Sequence, residues 1–120
     1  MILQIHHAQI TIPKGAEDEA RKFYCGVLGL SEIPKPDEMA GRGGFWLDVG
    51  DRQLHIGTED AVERGTTKAH VAYLVDDLEK ARERLVNAGM NVTDGIQIPG
   101  SVRFEFRDPF GNRIEFLEKA

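Results

Sequence analysis

An internal repeat constrains the fold of this chain more than any other feature of its sequence. The first half opens with IHHAQITI and the second with KAHVAYLV, and both alternate as strands do. In each half a helical period follows and ends at a glycine, and the half then closes on a glycine-turned hairpin, GDRQLHI in the first and GNRIEF in the second. The predicted order is therefore βαβββ twice, an α+β fold of two similar modules.

Proline, glycine and changes of period bound the predicted elements. In the first module we expect a strand at 3–12, a helix at 16–28, a short strand at 30–33 and a hairpin of strands 45–49 and 53–57. In the second we expect a strand at 69–75, a helix at 78–88 capped by Asp76 or Asp77, a strand at 91–98 and a hairpin of strands 102–108 and 112–118. Residues 58–68 are polar and aperiodic, which predicts a linker. The expected organisation is one domain over residues 1–120, with modules at about 1–57 and about 69–120.

The charge balance makes nucleic acid and anionic membranes poor partners, because 15 Lys and Arg face 20 Asp and Glu, a net charge of −5, with no basic block. No apolar run approaches the ~20 residues of a membrane span, and the N-terminus leads straight into a strand instead of a signal peptide. Cys25 is the one cysteine, so neither an internal disulfide nor a thiolate metal cluster can form. A reducing, cytoplasmic location is the expectation.

Four side chains of metal-ligand type fall at equivalent positions of the two modules. His7 and His70 lie in the opening strands, while His55 and Glu115 lie in the closing strands and align with each other if one gap is allowed. Side chains alternate across a strand, so His7 and His70 should point away from the apolar face that packs on the helix. If opening and closing strands are adjacent, all four project into one cleft. Imidazoles with a carboxylate suit one divalent ion such as Zn, Ni, Fe or Mn.

Other polar and aromatic side chains share the predicted face of these ligands. Trp46 could form a wall of a substrate pocket, although a core or dimer-interface position fits a tryptophan equally well. Arg103 and Arg107 could bind a carboxylate or phosphate of a substrate, or they could form a solvated hairpin face. Glu105 is a weaker candidate for a catalytic base than Glu115. His6 falls on the other face of the first strand and is interpreted as a packed or surface residue.

The chain contains the segments IHHAQITIP, FYCGVLGL, KAHVAYLVDDLEKARERL and FRDPFGNRIEF. Together these resemble the vicinal oxygen chelate superfamily, which includes glyoxalase I, methylmalonyl-CoA epimerase, extradiol dioxygenases, fosfomycin-resistance thiol transferases and bleomycin-binding proteins. The turn at 108–112 that leads to Glu115 is the most specific of the matching pieces. The resemblance implies paired βαβββ modules with curved mixed sheets around a metal cleft, ligands in the opening and closing strands, and frequent assembly as a homodimer.

The resemblance also implies a chemistry in which a metal chelates two neighbouring oxygens of a small substrate and acts as a Lewis acid. Four protein ligands leave two positions open on an octahedral ion, which suits a glyoxalase-type lyase or an epimerase in which Glu115 moves a proton. Without His55, two histidines and one carboxylate would suit an extradiol dioxygenase. A thiol transferase typically has Thr two residues past the first ligand, where this chain has Gln9. A non-catalytic module that binds a metal or a small ligand also remains open.

Overall fold

The computed structural model describes residues 1–96 and 98–119, and it divides into two compact units, Met1–Val62 and the chain from Glu63 onward. Each unit contains one of the predicted modules, and the boundary falls inside the predicted linker 58–68. A 3₁₀ turn at Arg64–Thr66 lies in the part of that linker that belongs to the second unit. The polar segment is therefore shared between the two units.

The first unit contains a mixed four-stranded sheet. Its strands are β1 (His7–Ile12), β2 (Ser31–Ile33), β3 (Phe45–Val49) and β4 (Arg52–Thr58), in the spatial order β1-β4-β3-β2. Strand β1 runs parallel to β4, and the other neighbours are antiparallel. Between β1 and β2, helix α1 (Glu17–Arg21) continues as a π-helix over Lys22–Val27, and a 3₁₀ turn occupies Asp37–Met39. The βαβββ order predicted for this half is confirmed.

The second unit repeats the same topology. Its elements are β5 (His70–Leu74), α2 (Leu78–Asn87), β6 (Thr93–Asp94), β7 (Ser101–Arg107) and β8 (Arg113–Lys119), with the strands in the order β5-β8-β7-β6. Strand β5 is parallel to β8, as β1 is to β4. Of the strand predicted at 91–98, the described residues form the two-residue β6 and an isolated bridge from Ile98 to Ser101, and position 97 lies outside the described residues. The second βαβββ order is also confirmed.

Apolar side chains at alternating strand positions form a core in each unit together with the apolar face of the helix. In the first unit the core residues are Ile12, Ala20, Phe23, Tyr24, Phe45, Leu47, Leu54 and Ile56. In the second unit they are Leu78, Leu85, Phe104, Phe106, Ile114 and Phe116. Val102, which alternation places on the same face as Phe104, is 41% exposed because it lies near the open end of β7, opposite Glu118.

Both helical segments end at a glycine, as predicted. Gly29 and Gly89 take φ angles of +77° and +84°, which favour glycine. Asp77, not Asp76, caps α2, because its side chain accepts a hydrogen bond from the backbone N–H of Lys80 at 3.1 Å. Within the described residues no helix is long and apolar enough to cross a membrane.

Two bounds in the first unit differ from the prediction. The first strand begins at His7 and not at residue 3, because β4 begins at Arg52 and His7 already pairs with Gln53. The predicted α-helix at 16–28 becomes π-helical after Arg21. A π turn takes in one extra residue, which a pattern of apolar positions does not register.

Strand register makes the predicted ligand positions equivalent. His7 pairs with Gln53, two residues before His55, and His70 pairs with Arg113, two residues before Glu115. Because side chains two residues apart point to the same face, the opening and closing residues share one sheet face in each unit. The alignment that required one gap in the sequence is therefore confirmed as an alignment of positions.

Candidate functional site

In the first unit, His55 lies between two other rings. Antiparallel pairing of β3 and β4 places Trp46 directly opposite His55. The indole and imidazole centroids are 3.8 Å apart and the rings are 3° from parallel. His7 stacks on His55 from the side of β1, with centroids 4.0 Å apart and 18° between the planes. Trp46 therefore contacts a predicted ligand directly, a contact that sequence reasoning missed.

Burial keeps the imidazole of His55 neutral. The residue is 5% exposed, and its burial, with smaller contributions from His7 and His6, lowers the pKa of His55 from 6.5 to about 4. The His55 Nε2 atom is 2.9 Å from Gln53 Oε1, so this nitrogen donates and Nδ1 is the unprotonated one. A histidine must be neutral to bind a metal ion, so this state suits a ligand.

The two adjacent histidines at the start of β1 are both exposed. Nδ1 of His6 is 3.0 Å from Nδ1 of His7, so one of the two rings donates a hydrogen bond to the other. Exposure of His6 agrees with its interpretation as a surface residue. His7 is the accessible end of the stack that continues through His55 to Trp46.

In the second unit, His70 of β5 faces Glu115 of β8. Nε2 of His70 is 3.3 Å from Oε1 of Glu115, a residue that is 6% exposed. The carbonyl oxygen of Lys68 lies 2.8 Å from His70 Nδ1, and a carbonyl can only accept, so Nδ1 carries a proton. This arrangement directs Nε2 at the carboxylate. A carbonyl that fixes the ring through Nδ1 in this way is a usual hydrogen-bond partner of a metal-binding histidine.

Glu115 also belongs to a row of charged side chains on the same sheet face. Arg103 Nη2 donates to Glu115 Oε1 at 2.8 Å and to Glu105 Oε1 at 3.4 Å, and Arg113 donates to that same oxygen of Glu105. The hydrogen bond from Arg113, with the positive charges of Arg113 and Arg103, lowers the pKa of Glu105. Arg103, predicted as a substrate contact, is thus bound to two carboxylates of the protein itself.

Arg107, the other arginine predicted to contact substrate, is bound to backbone carbonyls. Its Nη1 donates to the oxygens of Arg64 at 3.1 Å and Gly111 at 2.9 Å, and its Nη2 donates to the oxygen of Thr67 at 3.4 Å. These bonds connect β7 to the segment before β5 and to the β7–β8 turn. The contacts give Arg107 a structural role, whatever it does for a substrate.

Asp108 organises the turn that leads to Glu115. Its Oδ1 accepts hydrogen bonds from the backbone N–H groups of Phe110 at 2.9 Å and Asn112 at 2.8 Å, and its Oδ2 accepts from Asn112 Nδ2 at 2.9 Å. Gly111 takes a φ of +102°, and a Cβ there would lie 3.0 Å from the backbone nitrogen of Gly65. The Asp-Pro-Phe-Gly-Asn motif is therefore a structural device that starts β8 in register.

The donor types of these four residues fit a divalent metal ion. The 3.3 Å between His70 and Glu115 is close to the distance of about 3 Å between neighbouring ligands at about 2.0–2.2 Å from one ion. The rings of His7 and His55 are stacked in nearly parallel planes. Their nitrogen lone pairs would therefore point at one ion only if one ring rotated. Among the described residues no group of three or more His, Cys, Asp or Glu side chains is placed to hold a metal. The pair in the second unit is thus the one already spaced for an ion.

An open pocket of about 470 Å³ adjoins the charged row of the second unit. Glu105, Arg107 and Arg113 contribute to its lining together with Met90 and Asn91, which follow α2. This volume lies in the range of about 300–1,000 Å³ that small-molecule sites occupy. Both signs of charge and an apolar methionine are available to a small polar ligand there.

The sequence is similar to known proteins over most of its length. The model of the Glyoxalase/Bleomycin resistance protein/Dioxygenase superfamily matches residues 4–116. A lactoylglutathione lyase from Haemophilus influenzae is 32% identical, with 97% of this chain and 93% of that protein covered. A lactoylglutathione lyase from Neisseria meningitidis serogroup A is 27% identical, with 98% and 91% covered.

Solved structures have the same fold. A glyoxalase family protein from Bacillus anthracis has a TM-score of 0.92 and 41% identity, covering 100% of this chain and 98% of that one. A fosfomycin resistance protein from Listeria monocytogenes, crystallised with Mn(II) and sulfate, has a TM-score of 0.80 at 16% identity, covering 100% and 93%. The second likeness concerns the fold alone. From its sequence match, its repeated βαβββ topology and these relatives, the chain belongs to the Glyoxalase/Bleomycin resistance protein/Dioxygenase superfamily.

Proposed function

We propose that this protein is a metal-dependent lyase or isomerase of the glyoxalase type, acting on a small substrate bound through neighbouring oxygen atoms. The observation that carries the proposal is the strand register, which puts His7 with His55 and His70 with Glu115 at equivalent positions of the two units. Similarity along nearly the whole chain to proteins named lactoylglutathione lyase supports a reaction of this class.

His7, His55, His70 and Glu115 are the proposed ligand residues for a divalent metal, Zn, Ni, Fe or Mn. When bound, the metal supplies Lewis acidity that polarises a carbonyl oxygen of the substrate. His55 offers a neutral imidazole, and the Lys68 carbonyl holds the ring of His70 with Nε2 directed at Glu115. Glu115 is the proposed catalytic base, which takes a proton from the carbon beside the carbonyl and returns it to the neighbouring carbon.

We propose Trp46, Arg103 and Arg107 as the substrate contacts. The protein groups that each of them already touches indicate how far it is available to a substrate. Trp46 stacks on His55 and therefore borders the proposed ligand set. Arg103 and Arg107 already donate hydrogen bonds to groups of the protein. We expect Trp46→Leu to raise KM for the substrate. Substitutions of Arg103 and Arg107 should lower the free energy of unfolding more than they change KM.

The alternative reactions have weaker support from the described residues. An extradiol-type dioxygenase needs an additional acid–base residue near its metal, but Tyr73 lies on the face of β5 opposite to His70. There it packs edge-on against Phe116 at 5.9 Å, and burial raises its pKa. Gln9, where a thiol transferase typically has Thr, lies against Gly57. A module that binds a metal or a small ligand without catalysis would use the same residues as the proposed enzyme and would differ from it only in having no turnover.

Metal analysis and a substrate panel test the proposal together. Protein purified without added metal should contain one divalent ion per chain. It should also convert hemithioacetals formed from 2-oxoaldehydes and thiols, glutathione included, or exchange the α-protons of related carbonyl compounds. His70→Ala and Glu115→Gln should each lose metal affinity by about tenfold or more and kcat/KM by about 100-fold or more. His6→Ala is the matched control, since His6 is adjacent to a proposed ligand without being one.

Two results would contradict the proposal. Metal content and affinity that are unchanged in both His70→Ala and Glu115→Gln would remove the site. A metal-loaded protein that neither converts nor exchanges any member of the panel would leave a binding function in place of catalysis. The proposal also includes a homodimer and a cytoplasmic setting, which sedimentation equilibrium and cell fractionation can test.

A further inference from the structure

We propose that Arg103 is the resident counter-cation of Glu115, and that a metal ion must compete with it for this carboxylate. The competition rests on the proposed metal site, whereas the pairing of Arg103 with Glu115 does not. Arg103 is then a residue that positions and neutralises a proposed ligand, and not a substrate contact.

The contact between the two side chains is short and shielded from solvent. Arg103 Nη2 donates to Glu115 Oε1 at 2.8 Å, and the side chains are 17% and 8% exposed. This is the same oxygen that faces His70 Nε2. A carboxylate buried to this extent destabilises the folded chain unless a positive charge accompanies it. Arg103 supplies that charge within the chain.

The register of β7 and β8 explains why a cation is needed at this point. Glu105 lies directly opposite Glu115 on the same sheet face, and like charges in that position repel. Arg103 is two residues before Glu105 on β7, and its guanidinium donates to both carboxylates. A Cβ on Gly95 would lie 3.2 Å from Arg103 Nε, so a side chain at that position would crowd the guanidinium.

The first unit is an internal comparison. Trp46 stands opposite His55 there, as Glu105 stands opposite Glu115, and the position two residues before Trp46 is Gly44. A neutral imidazole in the closing strand is thus accompanied by a glycine, and a carboxylate in the closing strand by an arginine. The arginine occurs in the unit whose closing-strand residue carries a charge to neutralise.

A metal ion bound to Glu115 Oε1 would lie close to the guanidinium, and the two positive charges would repel. Arg103 therefore weakens metal binding while it stabilises the metal-free protein. Replacing Arg103 with Met removes the charge and keeps much of the apolar stem. The metal-free variant should be less stable than the wild type, and its affinity for metal should be higher.

Isothermal titration with Mn(II) at pH 7 tests the competition. Arg103→Met should bind Mn(II) at least about tenfold more tightly than the wild type. Arg113→Met is the matched control, because Arg113 belongs to the same row and touches Glu105 but makes no ion pair with Glu115. Its Mn(II) affinity should stay near that of the wild type. Equal or weaker binding by Arg103→Met overturns the competition.

Urea unfolding in the presence of a chelator tests the pairing without metal. Arg103→Met should lower the unfolding midpoint clearly in the wild-type background and much less in a Glu115→Gln background, where no charge needs neutralising. Equal losses in the two backgrounds overturn the role of Arg103 as counter-cation. If no variant binds Mn(II) but the two backgrounds differ as expected, the proposed function and the competition fail while the counter-cation role stands.

Discussion

Acidification should destabilise this protein through His55, and the structure sets both the direction and the size of the effect. The pKa of His55 is lowered from 6.5 to about 4 in the folded chain, so between these values the unfolded chain binds more protons than the folded one. The free energy of unfolding therefore falls as pH falls through this window. The contribution is complete above pH 6.5, amounts to about 3 kcal/mol, and is lost by about pH 4.

The physical cause of the shift is burial of the ring between Trp46 and His7. Stacking on an indole by itself favours an imidazolium ion, whereas burial and the neighbouring histidines favour the neutral ring and lower the pKa of His55. His55→Phe keeps an aromatic ring in the stack and has no titrating group. The variant therefore isolates the proton from the packing.

Urea unfolding at several values between pH 4 and pH 8, with a chelator present, measures the difference. Trp46 is the only tryptophan of the chain, and its fluorescence can report unfolding beside far-UV circular dichroism. Between pH 7 and pH 4 the wild type should lose about 3 kcal/mol more than His55→Phe. His6→Ala should stay closer to the wild type than His55→Phe, since His6 contributes less to the shift than burial and His7 do.

Parallel pH profiles for the wild type and His55→Phe would refute this reasoning. So would an NMR titration in which the ring protons of His55 have a midpoint near 6.5. Either result would mean that water reaches the ring despite its low exposed fraction.

Three further substitutions test the fold by chemical denaturation. Gly44→Ala should cost about 3 kcal/mol or more, because Gly44 has a φ of +79° and a Cβ would lie 1.9 Å from the carbonyl oxygen of Ile56. Gly26→Ala, where the new Cβ would meet no described residue within 4 Å outside its own helical segment, should change stability by less than about 1 kcal/mol, and equal losses at the two glycines would contradict the steric argument. Asp77→Ala should cost about 1 kcal/mol, because it removes the acceptor for the Lys80 N–H in the first turn of α2, and no loss would mean that the Glu118 carboxylate, which accepts from the Leu78 N–H at 2.7 Å, is a sufficient cap.

Much of the fold could be predicted because its signals are local and repeated. Alternation and helical period identify the strands and both helical segments, and repetition of their order in the two halves supports each assignment. The predictions are wrong where pairing with a neighbouring strand sets the bounds of an element. The first strand starts at His7 because Gln53 begins its pairing, and the described part of the strand expected at 91–98 pairs with β7 at Thr93 and Asp94, with an isolated bridge from Ile98 to Ser101.

The candidate site could likewise be predicted only in part. The sequence by itself determined which residues occupy equivalent positions, His7 with His70 and His55 with Glu115, because strand alternation and internal repetition are properties of the chain. Only the tertiary structure decided what each of them touches: Trp46 stacked on His55 and Arg103 bound to Glu115. Those contacts depend on cross-strand register and on side-chain rotamers, which a pattern along one chain does not contain.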